Sequence, residues 1–149
     1  MSEKREKCDQ CTTTVIAVTN GHLECLKYLV ANYAAWFGHK KILEISLENN
    51  CPWHPLTTFY AAMNGHREIL EFCVKNNCPW HPETTHIAAK YLRKECLEYI
   101  FENCKDFVSW EDSKLEEHMD EYSKEIREYV LNVKEEWQWY SNRGQDIKG

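Results

Sequence analysis

A 27-residue register constrains this chain more than any other feature. Cys51-Pro-Trp-His-Pro-Leu-Thr-Thr-Phe-Tyr-Ala-Ala-Met-Asn-Gly-His66 returns 27 residues later as Cys78-Pro-Trp-His-Pro-Glu-Thr-Thr-His-Ile-Ala-Ala-Lys-Tyr-Leu-Arg93. The match continues through Glu68–Val74 and Glu95–Phe101. An earlier copy runs from Thr13 to His22 and on through Leu23–Leu29, and a further one from Ala34 to His39 with Ile42, Leu43 and Leu47 behind it. Self-similarity at such a period marks stacked supersecondary units.

Each unit reads as two short helices. The Thr-Thr pair offers a hydroxyl N-cap, and Ala61-Ala62 or Ala88-Ala89 suits a small, closely packed first helix. Asn-Gly at 64–65 and at 20–21 ends that helix, because glycine takes left-handed backbone freely. Ile69, Leu70, Phe72, Cys73 and Val74 then line a second helix. Asn-Asn-Cys-Pro-Trp turns the chain, since proline cannot continue a helix. One hairpin cannot bury its own apolar flank, so copies must stack.

Asn-Gly-His-Leu-Glu-Cys-Leu-Lys-Tyr-Leu (20–29) and Asn-Asn-Cys-Pro-Trp (49–53 and 76–80) resemble the short ankyrin-like repeats of amoeba-infecting giant viruses. The likeness covers about residues 12–104. It implies an all-α, ankyrin-like helical-hairpin solenoid that mediates protein–protein contacts in a host cytoplasm, without enzymatic activity or cofactor. Two other roles belong to the same resemblance: a structural component of a viral assembly, and a ubiquitin-ligase adaptor. No Leu-Pro-type F-box opening precedes the C-terminal segment, which counts against the adaptor.

Two departures from the register stand out. His22 and His39 are separated by 17 residues rather than 27, so ten residues of turn and helix start are missing. Leu23 to Phe37 therefore reads as one fused helix, with a tight turn near Tyr33 as the alternative. In the last repeat Tyr91-Leu-Arg93 replaces Asn-Gly-His.

Three regions follow: a polar segment over 1–11, repeats over 12–104 with the second truncated, and a helical extension over 105–149. In the extension, Ser109-Trp-Glu-Asp112 resembles a capped helix start. Leu115, Met119, Tyr122, Ile126, Tyr129, Val133, Trp137 and Tyr140 then recur at three- and four-residue steps. That stripe predicts a long amphipathic helix, or two helices split near Ser123. It either folds back to cap the last repeat or offers a seam for self-association or a partner helix.

The chemistry carried by the motifs is structural. Cys8-x-x-Cys11 is half a zinc site without a second pair. Cys51-x-x-His54 and Cys78-x-x-His81 sit on neighbouring stacked units about 8–10 Å apart, too far for one ion. Cys25, Cys73 and Cys96 lie on apolar stripes, where a thiol is inert. His22, His39 and His66 recur at one junction and read as structural. No phosphate loop or hydrolase elbow is present. A formal net charge of −6, with basic clusters no larger than pairs such as Lys40-Lys41, disfavours nucleic acid as the partner. No apolar run reaches the ~20 residues a membrane helix needs. The eight cysteines come without a secretory signal, which points to a reducing cytoplasm.

Internal comparison also separates scaffold from variable surface. Residues that differ between the two clean copies, on the first-helix face expected to bind, are Phe59, Met63, His86, Lys90 and Tyr91. Trp139 and Tyr140, in an aromatic cluster near the end of the extension, complete the predicted partner-binding set. Trp53 and Trp80 are expected to pack between repeats as a ladder.

Overall fold

The computed structural model of the chain is all-helical among the described residues. These are residue 21, residues 23–105, residue 108 and residues 110–146, without the side chains of 112 and 138–146. Cys8, Cys11, His22, most of the first repeat copy, Ser109 and the side chains of Trp139 and Tyr140 lie outside them. Within the described residues seven α-helices follow in order: α1 Leu23–Phe37, α2 Lys40–Glu48, α3 Leu56–Met63, α4 Arg67–Lys75, α5 Thr84–Lys90, α6 Lys94–Asn103 and α7 Lys124–Asp146. No described helix is long and apolar enough to cross a membrane.

Leu23 to Phe37 is one continuous helix, as the shortened spacing predicts. The pairs α1–α2, α3–α4 and α5–α6 form hairpins; α1, α3 and α5 pack in one row, and α4 packs on α6. Residues 27 apart fill the same role in each. Ala35, Ala62 and Ala89 are fully buried, and so are Leu43, Leu70 and Leu97. Small side chains let the first helices approach closely, and the leucines fill the layer between first and second helices.

The helix junction repeats in atomic detail. The backbone N–H groups of His39, His66 and Arg93 donate to the carbonyls of Ala34, Ala61 and Ala88, each at 2.8 Å. Closing that turn requires left-handed backbone one residue earlier. Gly38 and Gly65 supply it at φ 80° and 76°, and Leu92 adopts φ 59° in the same place. Side chains lock neighbouring junctions together. His66 Nε2 donates to the Trp36 carbonyl at 3.0 Å, and Arg93 Nε donates to the Met63 carbonyl at 2.9 Å. A Cβ on Gly38 would lie 2.8 Å from the His66 ring, and one on Gly65 would lie 2.9 Å from Arg93 Cδ. Glycine is needed there for room as well as for φ. Leu92 bears the left-handed strain with an exposed side chain. Leu92→Gly is therefore expected to raise stability by about 1 kcal/mol; a urea midpoint that stays put or falls would disprove the strain.

The Asn-Asn turn works differently from the expectation built on proline. Each second helix ends before Pro52 or Pro79 is reached. Asn50 and Asn77 take φ 53° and 57°, and Cys51 and Cys78 donate back to the carbonyls of Ser46 and Cys73 at 2.9 Å. Asn49 and Asn76 bond the carbonyls of Ile45 and Phe72 through their own amides. Asparagine tolerates left-handed backbone, so the pair terminates the helix unaided.

The threonines are not N-caps. The histidines of Cys-Pro-Trp-His-Pro instead brace the turns that lead into the first helices. Leu56 N–H donates to His54 Nδ1, and Glu83 N–H donates to His81 Nδ1, both at 3.1 Å. The threonines lie in the first turns of α3 and α5, buried, and bond between repeats. Thr57 Oγ1 donates to Asn32 Oδ1 at 3.1 Å; Thr58 and Thr84 hydroxyls meet at 3.2 Å; His81 N–H donates to Thr58 Oγ1. Asn32 stands in for the threonine that the truncated repeat lacks. Thr85 is the counterpart of Thr58 in the last hairpin. With no further threonine beyond it, its buried hydroxyl has no partner among the described residues. Thr58→Val should cost about 1–3 kcal/mol, whereas Thr85→Val should be neutral or stabilising. Equal losses in paired denaturant titrations would remove this account. Trp53 meets Phe72 of its own hairpin at 6.1 Å between ring centroids, and both Trp53 and Trp80 pack, partly buried, against the core.

The extension is not one helix from Ser109. Glu111–Ser113 and Met119–Glu121 are short 3-10 turns, Lys114 is left-handed at φ 58°, and Tyr122 is extended. The α-helix starts at Lys124, where Ser123 Oγ accepts from Ile126 N–H at 3.3 Å. The reason lies in what must be covered. The last hairpin exposes the flanks of both α5 and α6, and a straight helix could lie on only one. The broken segment puts Glu111–Ser113 against α5 and α7 against α6. One apolar cluster then runs from Ala31 to Trp137 across repeats and extension.

Candidate interaction surface

Two regions combine chemistry with access: the ends of the first helices, and the contact between α5 and the extension. At the first, equivalent positions carry aromatic side chains into solvent. Phe37 is 61% exposed and Tyr91 45%, with Asn64 between them in the register. Tyr33 and Trp36 are also exposed; Tyr33 stacks on Phe37 at 6.4 Å, and Trp36 meets Tyr60 edge-on at 5.0 Å. Adjacent first helices stand about 8–10 Å apart, so these rings form a broken aromatic row along one side of the stack. Exposed aromatics at this density favour binding surfaces, because they bury large area at little entropic cost.

Of the residues singled out from the sequence, Tyr91 belongs to this row. Phe59 and Met63 are half-buried: Phe59 packs on Tyr60 and on His81, and Met63 lies against the core. His86 is corrected. His86 is only 4% exposed and exchanges a hydrogen bond with Tyr122, Nδ1 to Oη 2.7 Å. Lys90 pairs with Glu121 at 2.8 Å. The extension covers His86, whereas Lys90 stays exposed with its ammonium held by Glu121. Sequence reasoning misses the rings Tyr33, Trp36 and Phe37, because the variable positions come from the two clean copies alone and not from the truncated one.

The second region is electrostatic. Lys114 bonds Glu83 at 2.8 Å, Lys94 approaches Glu125 at 4.0 Å, and Lys90 holds Glu121, so ion pairs tie the extension to α5 and α6 along its length. Partly exposed pairs contribute little each, about 0–1 kcal/mol; their value is register. Glu121 bonds Lys90 and also His118 at 2.6 Å, and together these hold its carboxyl down to about 2. Burial and the neighbouring His118 push His86 below the ordinary imidazole range, favouring its neutral form. The rings of His86 and His118 stand 4.0 Å apart.

The buried thiols offer no nucleophile. A hydrogen bond with Cys78 and burial raise Cys73, and burial lifts Cys96 to about 11 and Cys104 to about 12. A thiolate is the reactive form, so these remain inert at neutral pH. His54 and His81 use Nδ1 to accept from Leu56 and Glu83 N–H in the turns leading into α3 and α5. A shallow cleft of about 330 Å³ between α6 and α7 is lined by Glu98, Glu102, Glu136, Phe101 and Tyr129 among others and carries no acid–base pair of complementary environment.

No protein-family model, curated protein or solved structure matches the chain.

Proposed function

We propose that this chain is a non-enzymatic, ankyrin-like interaction module that holds a protein partner on the first-helix side of its repeat stack. The observation that carries the reading is the row of exposed aromatic rings at repeat-equivalent positions, Phe37 and Tyr91 with Tyr33 and Trp36 beside the first. Regular hairpins supply a rigid frame, and a rigid frame displaying aromatic anchors binds with little ordering cost. The acidic balance of the chain favours a protein over nucleic acid. The partner would be met in a host cytoplasm if the giant-virus resemblance reflects origin.

The α7 stripe is committed to the core: Ile126, Val130 and Trp137 are buried and Tyr129 and Val133 pack against them. Self-association through that stripe is therefore not part of the proposal. The test is a Phe37→Ser/Tyr91→Ser variant compared with wild type in capture from infected host cells. Both positions are exposed, so the melting temperature should hold within a few degrees while recovery of the specific partner falls at least about tenfold, the loss of one hot spot. Undiminished capture by the variant would defeat this assignment of the surface.

A further inference from the structure

We infer that the contact between α5 and the extension is a metal site, in which His86, His118 and Glu121 take a zinc-like divalent transition ion that pins the C-terminal segment to the last repeat. One ligand atom from each of the three lies within 4.8 Å of the others. The set is two imidazoles and a carboxylate, the donor chemistry that suits zinc, cobalt or nickel over magnesium or calcium. It joins α5 to a turn more than thirty residues further along the chain, so metal binding and docking of the extension are one event.

The surroundings favour the ligands. Tyr122 Oη stands 2.7 Å from His86 Nδ1. With Nδ1–H donating to that oxygen, Nε2 is left with its lone pair for a metal; an oxygen partner behind a ligating imidazole is the usual means of orienting it. Lys90 grips Glu121 Oε2 at 2.8 Å and leaves Oε1, now against His118, for the ion. His86 is anchored by burial, while His118 and Glu121 are more accessible and share one turn. Bonds of about 2.0–2.2 Å require the three donors to close from their present spread; rotation of His118 and Glu121 supplies that movement without disturbing α5. The three protein ligands leave further coordination to water.

The test uses the full chain, stripped with a chelator and kept reduced, titrated with zinc chloride and separately with cobalt chloride. Expected are one ion per chain by calorimetry and a melting temperature about 5–10 °C higher at ~100-fold excess over Kd. Cobalt should give visible d–d bands without a thiolate charge-transfer band, which separates this site from the cysteines. His118→Ala and Glu121→Gln, at positions outside the core, should keep the metal-free melting temperature nearly unchanged and abolish the metal-induced rise. Tyr122→Phe should weaken binding about 10–100-fold while retaining one ion. No melting shift with wild type, a shift that survives in both ligand variants, or a thiolate band would each overturn the site.

Discussion

Trp137→Ala is expected to reduce the free energy of unfolding by about 3–5 kcal/mol, the range for truncating a buried large aromatic. A domain of this size has about 5–15 kcal/mol in total, so much of its margin would go. Trp137 is 2% exposed on α7, edge-on to Phe101 of α6 at 5.0 Å and near Trp110 at 6.3 Å. It joins three separate stretches of chain, and its removal leaves a cavity that none of them can fill alone. Leu131 on the same helix is 52% exposed; Leu131→Ala should change stability by no more than about 0.5 kcal/mol. Urea titrations of both variants check the contrast. A Trp137→Ala loss below about 1 kcal/mol would mean that α7 does not share the repeat core in solution.

Leu70→Ala, in the central hairpin, is expected to cost about 2–5 kcal/mol. Its effect should exceed simple truncation in one respect. In a stack each hairpin leans on its neighbours, so weakening the middle one loosens both interfaces. The denaturant transition should broaden, with a lower apparent m-value, as the two ends begin to unfold separately. Leu97→Ala should cost a similar amount but keep a single sharp transition, because α6 is also held by α7. An unchanged slope for Leu70→Ala would argue that the array unfolds as one unit.

The two effects explain why the local architecture was legible and its closure was not. Position-by-position repetition carries the same physical demand in each copy: alanine where first helices touch, leucine between layers, glycine where the turn needs left-handed backbone and room. Helix existence and hairpin pairing follow from that demand, and of the two readings it left for Leu23–Phe37 the structure has the fused helix. The roles of Thr57, Thr58, His54 and His81 were not legible, because a hydroxyl near a helix start can cap its own helix or bond the next one. Only stacking distance decides between them.

For the candidate surface, variability between copies was an incomplete guide. It marked Tyr91 and Lys90 as exposed, which the structure shares, and placed His86 in the open, whereas Tyr122 closes over it. Nothing local in residues 86–90 announces a partner thirty residues away. The stripe from Leu115 to Trp137 left capping and a partner seam both open; its apolar residues face the core, and periodicity could not reveal that left-handed Lys114 and extended Tyr122 interrupt it.

The amino-acid sequence by itself determined that this chain is a row of helical hairpins with an apolar extension, because a 27-residue period of small, apolar and turn residues has one economical packing. Tertiary structure alone decided how the row ends. The last hairpin presents two flanks at once, and the extension must break to cover both, carrying His118 and Glu121 to His86 in doing so. Which side chains remain exposed, and which meet across the closure, depends on contacts between residues far apart in the chain, and no local pattern encodes those.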